Sequence, residues 1–182
     1  NYIVFFPSYR YMETCAELFR RHYPAIPLHV QGAAMTPQER QAFLERFETF
    51  GEMQLHFCVL GGMFAEGIDF SGERLIGTII IGVGLPMINP ESDFVKEHFD
   101  AQGKPGYHFA YTFPGMNKVL QAMGRVIRTK KDSGIIVLID DRYLTPLYRS
   151  LFPPHYRHAL CVRDNLRLET LIRAFWQKRS EQ

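Results

Sequence analysis

Cysteine, net charge and long apolar runs are all scarce in this chain of 182 residues. The three cysteines are odd in number and far apart, so they predict packing in the core of a protein in a reducing compartment, not a disulfide framework. The formal net charge is only +2, which neither demands nor excludes a nucleic-acid partner. Apolar stretches reach the length of a strand at most, so we expect no membrane contact and a cytoplasmic location, nucleoid-associated if the source is bacterial.

Motifs that hold nucleotide phosphates are also missing. The sequence contains no G-x-x-x-x-G-K-[ST] loop and no acidic Walker B tetrad, the two elements that hold Mg·ATP in P-loop NTPases. The chain is therefore not expected to hold Mg·ATP by itself. His155, His158 and Cys161 have nearly the spacing of metal ligands on a helix. Because no fourth ligand is near and Pro153 and Pro154 mark an irregular boundary, we expect no metal site.

Short apolar runs alternate with amphipathic stretches along the chain, and 46% of the residues are hydrophobic. This alternation predicts a globular α/β fold in which helices cover a parallel sheet. The fully apolar run at 135–139 predicts a central strand, and the other strands are expected at residues 2–6, 27–30, 57–60 and 78–81. One helix should follow Ser8 with Met12 and Ala16 on its apolar face, and another should begin at Thr36 and include Phe50.

We interpret residues 1–182 as one domain with an insertion-like segment at about 86–118 and a helical extension at about 154–182. Residues 89–106 are rich in proline, glycine and charge, which predicts a mobile segment with one short helix at 93–99. An extended segment is predicted next by alternating aromatic residues, Tyr107, Phe109, Tyr111 and Phe113. Because Asn1 is not an initiator methionine and lies at a strand, we expect the chain to be an excised fragment.

The stretch 121–128 carries the strongest chemical signal. On a helix that advances about 100° per residue, Gln121, Gly124, Arg125 and Arg128 share one face. The opposite face is apolar and is predicted to pack on the core, through Val119, Ala122, Met123, Val126 and Ile127. Two adjacent guanidinium groups suit phosphate oxygens, and a glycine between them allows another molecule to approach closely. An isolated arginine pair would more often be an ordinary surface feature.

A second candidate site follows the strand at 57–60. Gly61 and Gly62 permit a tight turn that leaves backbone amides uncovered, and Glu66 and Asp69 place carboxylates around Gly67. Taken alone, this glycine-rich loop is a weak signal.

The end of the first strand offers further candidate contacts. Ser8 can bind a backbone phosphate there, cap the following helix, or do both. Tyr9 and Tyr11 can stack on bases, although aromatic residues beside a strand more often pack in the core.

These segments, in this order, resemble the C-terminal motor domain of superfamily 2 DNA helicases of the XPD/DinG branch. Residues 5–13 look like the family's motif IV region, 62–70 like motif V and 121–128 like motif VI. The resemblance extends from about residue 2 to residue 154. Ala65 departs from the serine or tryptophan that the family often has.

The resemblance implies a RecA-like parallel sheet sandwiched by helices, of the P-loop NTPase type but without its own Walker motifs. It implies that ATP and Mg²⁺ are shared with a missing N-terminal helicase domain, which alone could carry an iron–sulfur cluster. It assigns Arg125 and Arg128 as arginine fingers aligned by Gln121. The other implied contacts are with nucleotide, through Glu66, Gly67, Asp69 and Gly124, and with single-stranded DNA, through Ser8, Tyr9, Gly61 and Gly62.

The expected function is therefore that of the second motor domain of an ATP-dependent DNA helicase, inactive as an isolated fragment. Two alternatives stay open. One is a non-catalytic RecA-like module that binds nucleic acid or protein. The other is an ATP-driven translocase that moves on single strands without separating them.

Overall fold

A five-stranded parallel sheet lies at the centre of the first of two units in this computed structural model. The structure describes residues 1–49, 51–64, 74–127 and 132–180. The first unit comprises residues 1–149 and the second residues 150–182, which contains the extension expected from about residue 154. Within the described ranges, no helix is long and apolar enough to cross a membrane.

The strands follow the order β2-β3-β1-β4-β5 and are all parallel. Their bounds are β1 Tyr2–Phe6, β2 Leu28–Val30, β3 Leu55–Val59, β4 Gly77–Ile81 and β5 Ile135–Ile139. The helices are α1 Tyr9–His22, α2 Pro37–Glu45, α3 Pro90–Ala101, α4 Phe113–Met123, α5 Pro146–Ser150 and, in the second unit, α6 Asn165–Ser180. The predicted parallel α/β fold is confirmed.

The expectation that the strand at 135–139 is central is wrong. β5 pairs with β4 and is the last strand of the sheet in the part of the chain that the structure describes. Its last residue, Ile139, is 52% exposed. An apolar run indicates that both faces of a strand are covered, but it carries no information on whether both edges are paired.

Helix α1 begins where the sequence predicts and covers one face of the sheet. Ser8 caps it, and the predicted apolar residues Met12 and Ala16 are buried against Val4, Phe6 and Phe57. The ring centroids of Phe6 on β1 and Phe57 on β3 lie 4.7 Å apart, so these neighbouring strands also pack through their side chains beneath α1.

Helix α2 is shorter than predicted. Thr36 and Glu39 form the expected capping box, but the α-helix ends at Glu45 and continues as the 3₁₀ turn Arg46–Glu48. Phe47 is buried in that turn, where its ring stacks on His56 with centroids 3.6 Å apart. This long-range packing takes precedence over the helical spacing of the phenylalanines. Phe50 lies outside the described residues.

The helix predicted at 93–99 is confirmed and is longer than predicted, spanning Pro90–Ala101, whereas the mobility predicted for 89–106 stays a prediction. Asn89 caps α3 by accepting a hydrogen bond from the Ser92 N–H at 2.8 Å. The ring of Phe99 stacks on that of Phe109 at 4.0 Å, which fixes α3 to the next element.

That next element is also helical, so the extended segment predicted from the alternating aromatics is wrong. Residues His108–Thr112 form a π-helical turn that runs directly into α4. Rings four residues apart are in contact, Tyr107 with Tyr111 at 5.1 Å and Phe109 with Phe113 at 5.2 Å. Aromatic residues that alternate along the sequence also recur at every fourth position, and side chains four residues apart lie next to each other on a helix.

His56 is a fully buried histidine on β3 that packs between aromatic rings and beside His29, whose ring lies 5.0 Å away. Burial lowers the pKa of His56 to about 3, and the positive charge of His29 contributes further. The folded protein therefore holds His56 neutral, whereas the unfolded chain protonates it near its ordinary pKa of about 6.5.

Acid should therefore destabilise this unit through His56. Its contribution to the free energy of unfolding is complete above about pH 6.5 and falls by about 1.4 kcal/mol per pH unit below it, because the unfolded chain binds one more proton. Urea unfolding of the wild type and His56→Gln between pH 7.5 and 4.5 measures the difference in slope. The exposed His98→Gln change is the control, and equal slopes for His56→Gln and the wild type would contradict the assignment.

Candidate nucleic-acid and nucleotide surfaces

The carboxyl ends of β1 and β3 lie side by side and form one edge of the candidate site. Phe6 is paired with Val59, and the Leu60 N–H donates to the Phe6 carbonyl at 2.9 Å. The chain leaves β1 through Ser8 and Tyr9, and it leaves β3 through Gly61 and Gly62. The structure thus brings together the four residues that the sequence assigns to nucleic acid; the contact itself stays a prediction.

Ser8 is exposed, and its hydroxyl oxygen accepts a hydrogen bond from the Tyr11 N–H at 3.3 Å. The capping role is therefore confirmed. A hydroxyl group that accepts through its oxygen keeps its own proton to donate. Ser8 can accordingly cap α1 and donate to a phosphate oxygen at the same time.

Tyr9 is half-buried and packs against the core beneath α1. Its hydroxyl oxygen accepts a hydrogen bond from Nε2 of Gln31 at 2.8 Å. The core interpretation of the Tyr9 ring is confirmed. Tyr11 is 46% exposed and meets Phe6 edge to face at 6.0 Å.

The turn after β3 requires glycine at both positions. Gly61 has a φ of +75°, in the left-handed region that favours glycine. A Cβ on Gly62 would lie 3.0 Å from the Val59 carbonyl oxygen and 3.2 Å from Nε2 of Gln31. A side chain would therefore be strained at Gly61 and crowded at Gly62.

Lys118 on α4 is a further candidate for this surface, and the sequence pattern did not single it out. It is half-buried, and a Cβ on Gly61 would lie 2.8 Å from its Cδ and 3.4 Å from its Nζ. The ion pairs found among the described residues do not include Lys118. Its position three residues before Gln121, on the same side of a helix, is the sequence signal that could have identified it.

Helix α4 runs from the carboxyl edge of the sheet to the amino edge. At its start, a Cβ on Gly84 would lie 2.9 Å from the Gly115 carbonyl oxygen, so the exit from β4 contacts α4 backbone to backbone. Beyond its end, Val126 packs on Gly134, which immediately precedes β5. Ligands of open α/β sheets gather at the carboxyl ends of the strands, and the glycine turn lies at that edge. Arg125 does not, because α4 leads towards the amino ends of the strands.

The helix predicted over 121–128 is wrong in its extent. α4 ends at Met123, and the next residues turn through hydrogen bonds from Arg125 N–H to the Ala122 carbonyl at 3.2 Å and from Val126 N–H to the Met123 carbonyl at 3.3 Å. The apolar stripe is buried up to Val126, whereas Ile127 is 37% exposed. Angles taken from an ideal helix hold for Gln121 but not beyond the helix end.

Gln121 is exposed in the last turn of α4, and Arg125 is half-buried in the turn that follows. Gly124 has φ −66° and ψ −5°, an ordinary right-handed conformation. A Cβ there would meet its nearest atoms at 3.4 and 3.5 Å, which is ordinary contact. Neither backbone conformation nor packing therefore requires glycine at this position.

Four predicted site residues lie outside the described residues: Glu66, Gly67, Asp69 and Arg128. Their roles stay predictions. Within the described ranges, no group of three histidine, cysteine or acidic side chains is placed to hold a metal ion.

Comparison with known proteins decides the family. Residues 1–159 match the family model described as the helicase C-terminal domain. The chain belongs to this family. This chain is 30% identical over 157 residues to a probable ATP-dependent helicase of Methanocaldococcus jannaschii, and the match covers 79% of this chain and 24% of that protein. It is likewise 30% identical over 152 residues to the Saccharomyces cerevisiae general transcription and DNA repair factor IIH helicase subunit XPD/RAD3, covering 78% and 19%.

The fold of the helicase C-terminal domain also matches a solved structure of XPD in its apo form. The TM-score is 0.64 at 20% identity, over 82% of this chain and 30% of that one. The RecA-like sheet and the resemblance to the XPD branch are thus confirmed. The chain spans a quarter or less of the length of the two relatives named above.

Proposed function

We propose that this helicase C-terminal domain is the second motor domain of an ATP-dependent DNA helicase. Relatives of this description include the human regulator of telomere elongation helicase 1, 30% identical over 90% of this chain and 15% of that protein. In the proposal, a preceding domain grips Mg·ATP, since this chain has no Walker loop. Gln121, Gly124 and Arg125, together with Arg128, face the nucleotide; Glu66, Gly67 and Asp69 in motif V contribute to the same cleft. An iron–sulfur cluster would belong to the preceding half.

The course of α4 is the observation that carries this proposal. One helix holds Lys118 over the glycine turn at the carboxyl edge of the sheet and then leads into the Arg125 turn. A rigid helix that joins two separate surfaces transmits a displacement at one to the other. Closure of the cleft around ATP would pull on Arg125 and thereby move the surface that holds the nucleic acid.

The carboxyl edge supplies the chemistry for a single strand of DNA. Ser8 offers an exposed hydroxyl, the Gly61–Gly62 turn offers close backbone approach, and Lys118 offers a positive charge beside that turn. These groups recognise phosphate rather than bases, so we expect binding with little sequence preference.

Comparison of the isolated chain with the intact polypeptide tests the two-domain arrangement. The isolated chain should bind ATP no more tightly than about millimolar, and it should not hydrolyse ATP, because phosphate gripping depends on the missing loop. The intact protein should hydrolyse ATP and be stimulated by single-stranded DNA. A coupled ATPase assay with and without oligothymidylate measures both. DNA-stimulated hydrolysis by the isolated chain would refute the arrangement, and an intact protein that binds DNA without turnover would favour the non-catalytic module.

Replacing Lys118 by glutamine should weaken single-stranded DNA binding and reduce its dependence on salt. One lost phosphate contact should make the slope of log K against log salt shallower by about 0.7. Fluorescence anisotropy with labelled oligothymidylate at several salt concentrations measures this slope. Lys96→Gln is the matched control, because Lys96 is already paired with Asp100 at 2.8 Å. An unchanged slope for Lys118→Gln would remove Lys118 from the DNA surface.

A further inference from the structure

Gln31, the residue that follows β2, is a buried amide at the candidate DNA surface. It is only 2% exposed, and its backbone N–H continues the strand pairing by donating to the Phe57 carbonyl at 2.9 Å. Its side chain joins the two chain segments that form that surface: Nε2 donates to the Tyr9 hydroxyl at 2.8 Å, and Oε1 accepts from the Val59 N–H at 2.9 Å. Both ends of the amide are therefore satisfied, as a buried amide requires.

The Val59 contact fixes which way the Gln31 amide faces. A backbone N–H can only donate, so the atom that faces it must be the amide oxygen. The NH₂ group is then the end that faces Tyr9, and an NH₂ group can only donate. The Tyr9 oxygen must accept this hydrogen bond, which leaves the hydroxyl proton directed to some other acceptor. No second hydrogen bond of the Tyr9 hydroxyl occurs in the part of the chain that the structure describes.

We propose that the Tyr9 hydroxyl donates its proton to a backbone phosphate oxygen of the bound DNA strand, and that Gln31 is the positioning residue that sets this direction. The proposal rests on the proposed function and specifies how one residue of it acts. It assigns the contact to the hydroxyl of Tyr9, because the ring packs against the core. Nε2 of Gln31 also lies against the Gly62 position, so the same amide lies between the start of α1 and the glycine turn.

Two substitutions in the intact polypeptide separate this role from simple packing. Tyr9→Phe removes only the hydroxyl. Gln31→Glu keeps the shape, but its carboxylate, when ionised, can only accept, from the Val59 N–H and from the Tyr9 hydroxyl, which reverses the direction of the hydroxyl. Each change should weaken oligothymidylate binding by about tenfold, the effect of one hydrogen bond to a charged group. The salt slope should stay unchanged, because a neutral donor releases no counterion.

The double variant and a control complete the test by anisotropy. Gln31→Glu should have no further effect on affinity in the Tyr9→Phe background, because the proton that it redirects is gone. Tyr23→Phe, which removes an exposed hydroxyl beyond the far end of α1, should bind as the wild type does. Circular dichroism at the assay temperature confirms that each variant is folded.

Three results would overturn parts of this scheme. Wild-type affinity in folded Tyr9→Phe would remove the hydroxyl contact. Additive losses in the double variant would remove the positioning role of Gln31. If the wild-type polypeptide itself failed to bind oligothymidylate, the proposed function would fail, and this outcome differs from the other two.

Discussion

Replacing Arg125 by alanine in the intact helicase is expected to lower DNA-stimulated ATP turnover by about 10³–10⁵, or roughly 4–7 kcal/mol of activation free energy. An arginine finger stabilises charge that develops on the transferred phosphoryl group, so its loss affects turnover more than ground-state binding. ATP affinity should stay within about tenfold, because the Walker loop of the preceding domain supplies most of it. Steady-state ATPase and nucleotide titration on the same samples measure the two effects.

Arg125→Lys should fail nearly as badly, since a point charge cannot reproduce the planar fork of donors. The motif VI resemblance gives the same expectation for Arg128→Ala. Arg21→Ala is the matched control, as it removes an exposed arginine from the last turn of α1. Arg125→Ala should not unfold the domain, because Arg125 lies beyond the end of α4 and is only half-buried. Near-normal turnover in folded Arg125→Ala would refute the proposed role.

Periodicity in the sequence was sufficient for most of the fold. β1 could be predicted because Tyr2–Phe6 consists of apolar residues that favour strands. α1 could be predicted because Ser8 is a good N-cap residue and the apolar residues Met12 and Ala16 follow it four positions apart. The strands that pair with β5 could not be predicted, because an apolar strand sequence does not indicate which other strands lie beside it. Sheet order is set by long-range pairing, which local patterns do not encode.

The extent of the motif VI helix shows a second limit. The apolar stripe continues smoothly from Val119 to Val126, so the pattern predicts a helix that the structure ends at Met123. Gly124 is the C-cap residue, where glycine often ends a helix, but it keeps a right-handed conformation and not the left-handed one that such a glycine usually adopts. Val126 packs on Gly134, and a contact between residues this far apart in the sequence is not encoded in the local pattern.

The candidate site was predicted where motifs are contiguous and missed where contacts are tertiary. Ser8 and the Gly61–Gly62 turn stand out in the sequence because they end strands. Gln31 does not, since a glutamine after a three-residue strand is unremarkable until its amide is seen between Tyr9 and Val59. Lys118 has only the weak signal of its spacing from Gln121, and its contact with the Gly61 position is seen only in the structure.

Replacing Gly115 by alanine is expected to lower the free energy of unfolding by about 1–3 kcal/mol, the range of an overpacked core. A Cβ there would lie 2.6 Å from the Val83 carbonyl oxygen and 3.1 Å from the Gly84 carbonyl carbon, distances that only a backbone shift can relieve. Helix propensity alone predicts the opposite sign, since alanine favours a helix by up to about 1 kcal/mol over glycine. Thermal melting and urea unfolding decide between the two.

Gly124→Ala is the matched control for stability, because a Cβ there meets nothing closer than 3.4 Å. It should be as stable as the wild type, or slightly more so. Since Gly115 fixes the start of α4, its substitution should also move Lys118 from the glycine turn and displace the Arg125 turn. In the intact helicase, DNA affinity and ATP turnover should therefore both fall in Gly115→Ala, whereas the Lys118 and Arg125 variants each affect mainly one of them. A fully stable Gly115→Ala protein would show that the close approach at Gly115 does not hold α4 in place. The proposal that α4 couples the Lys118 surface to the Arg125 turn would then lack its structural basis.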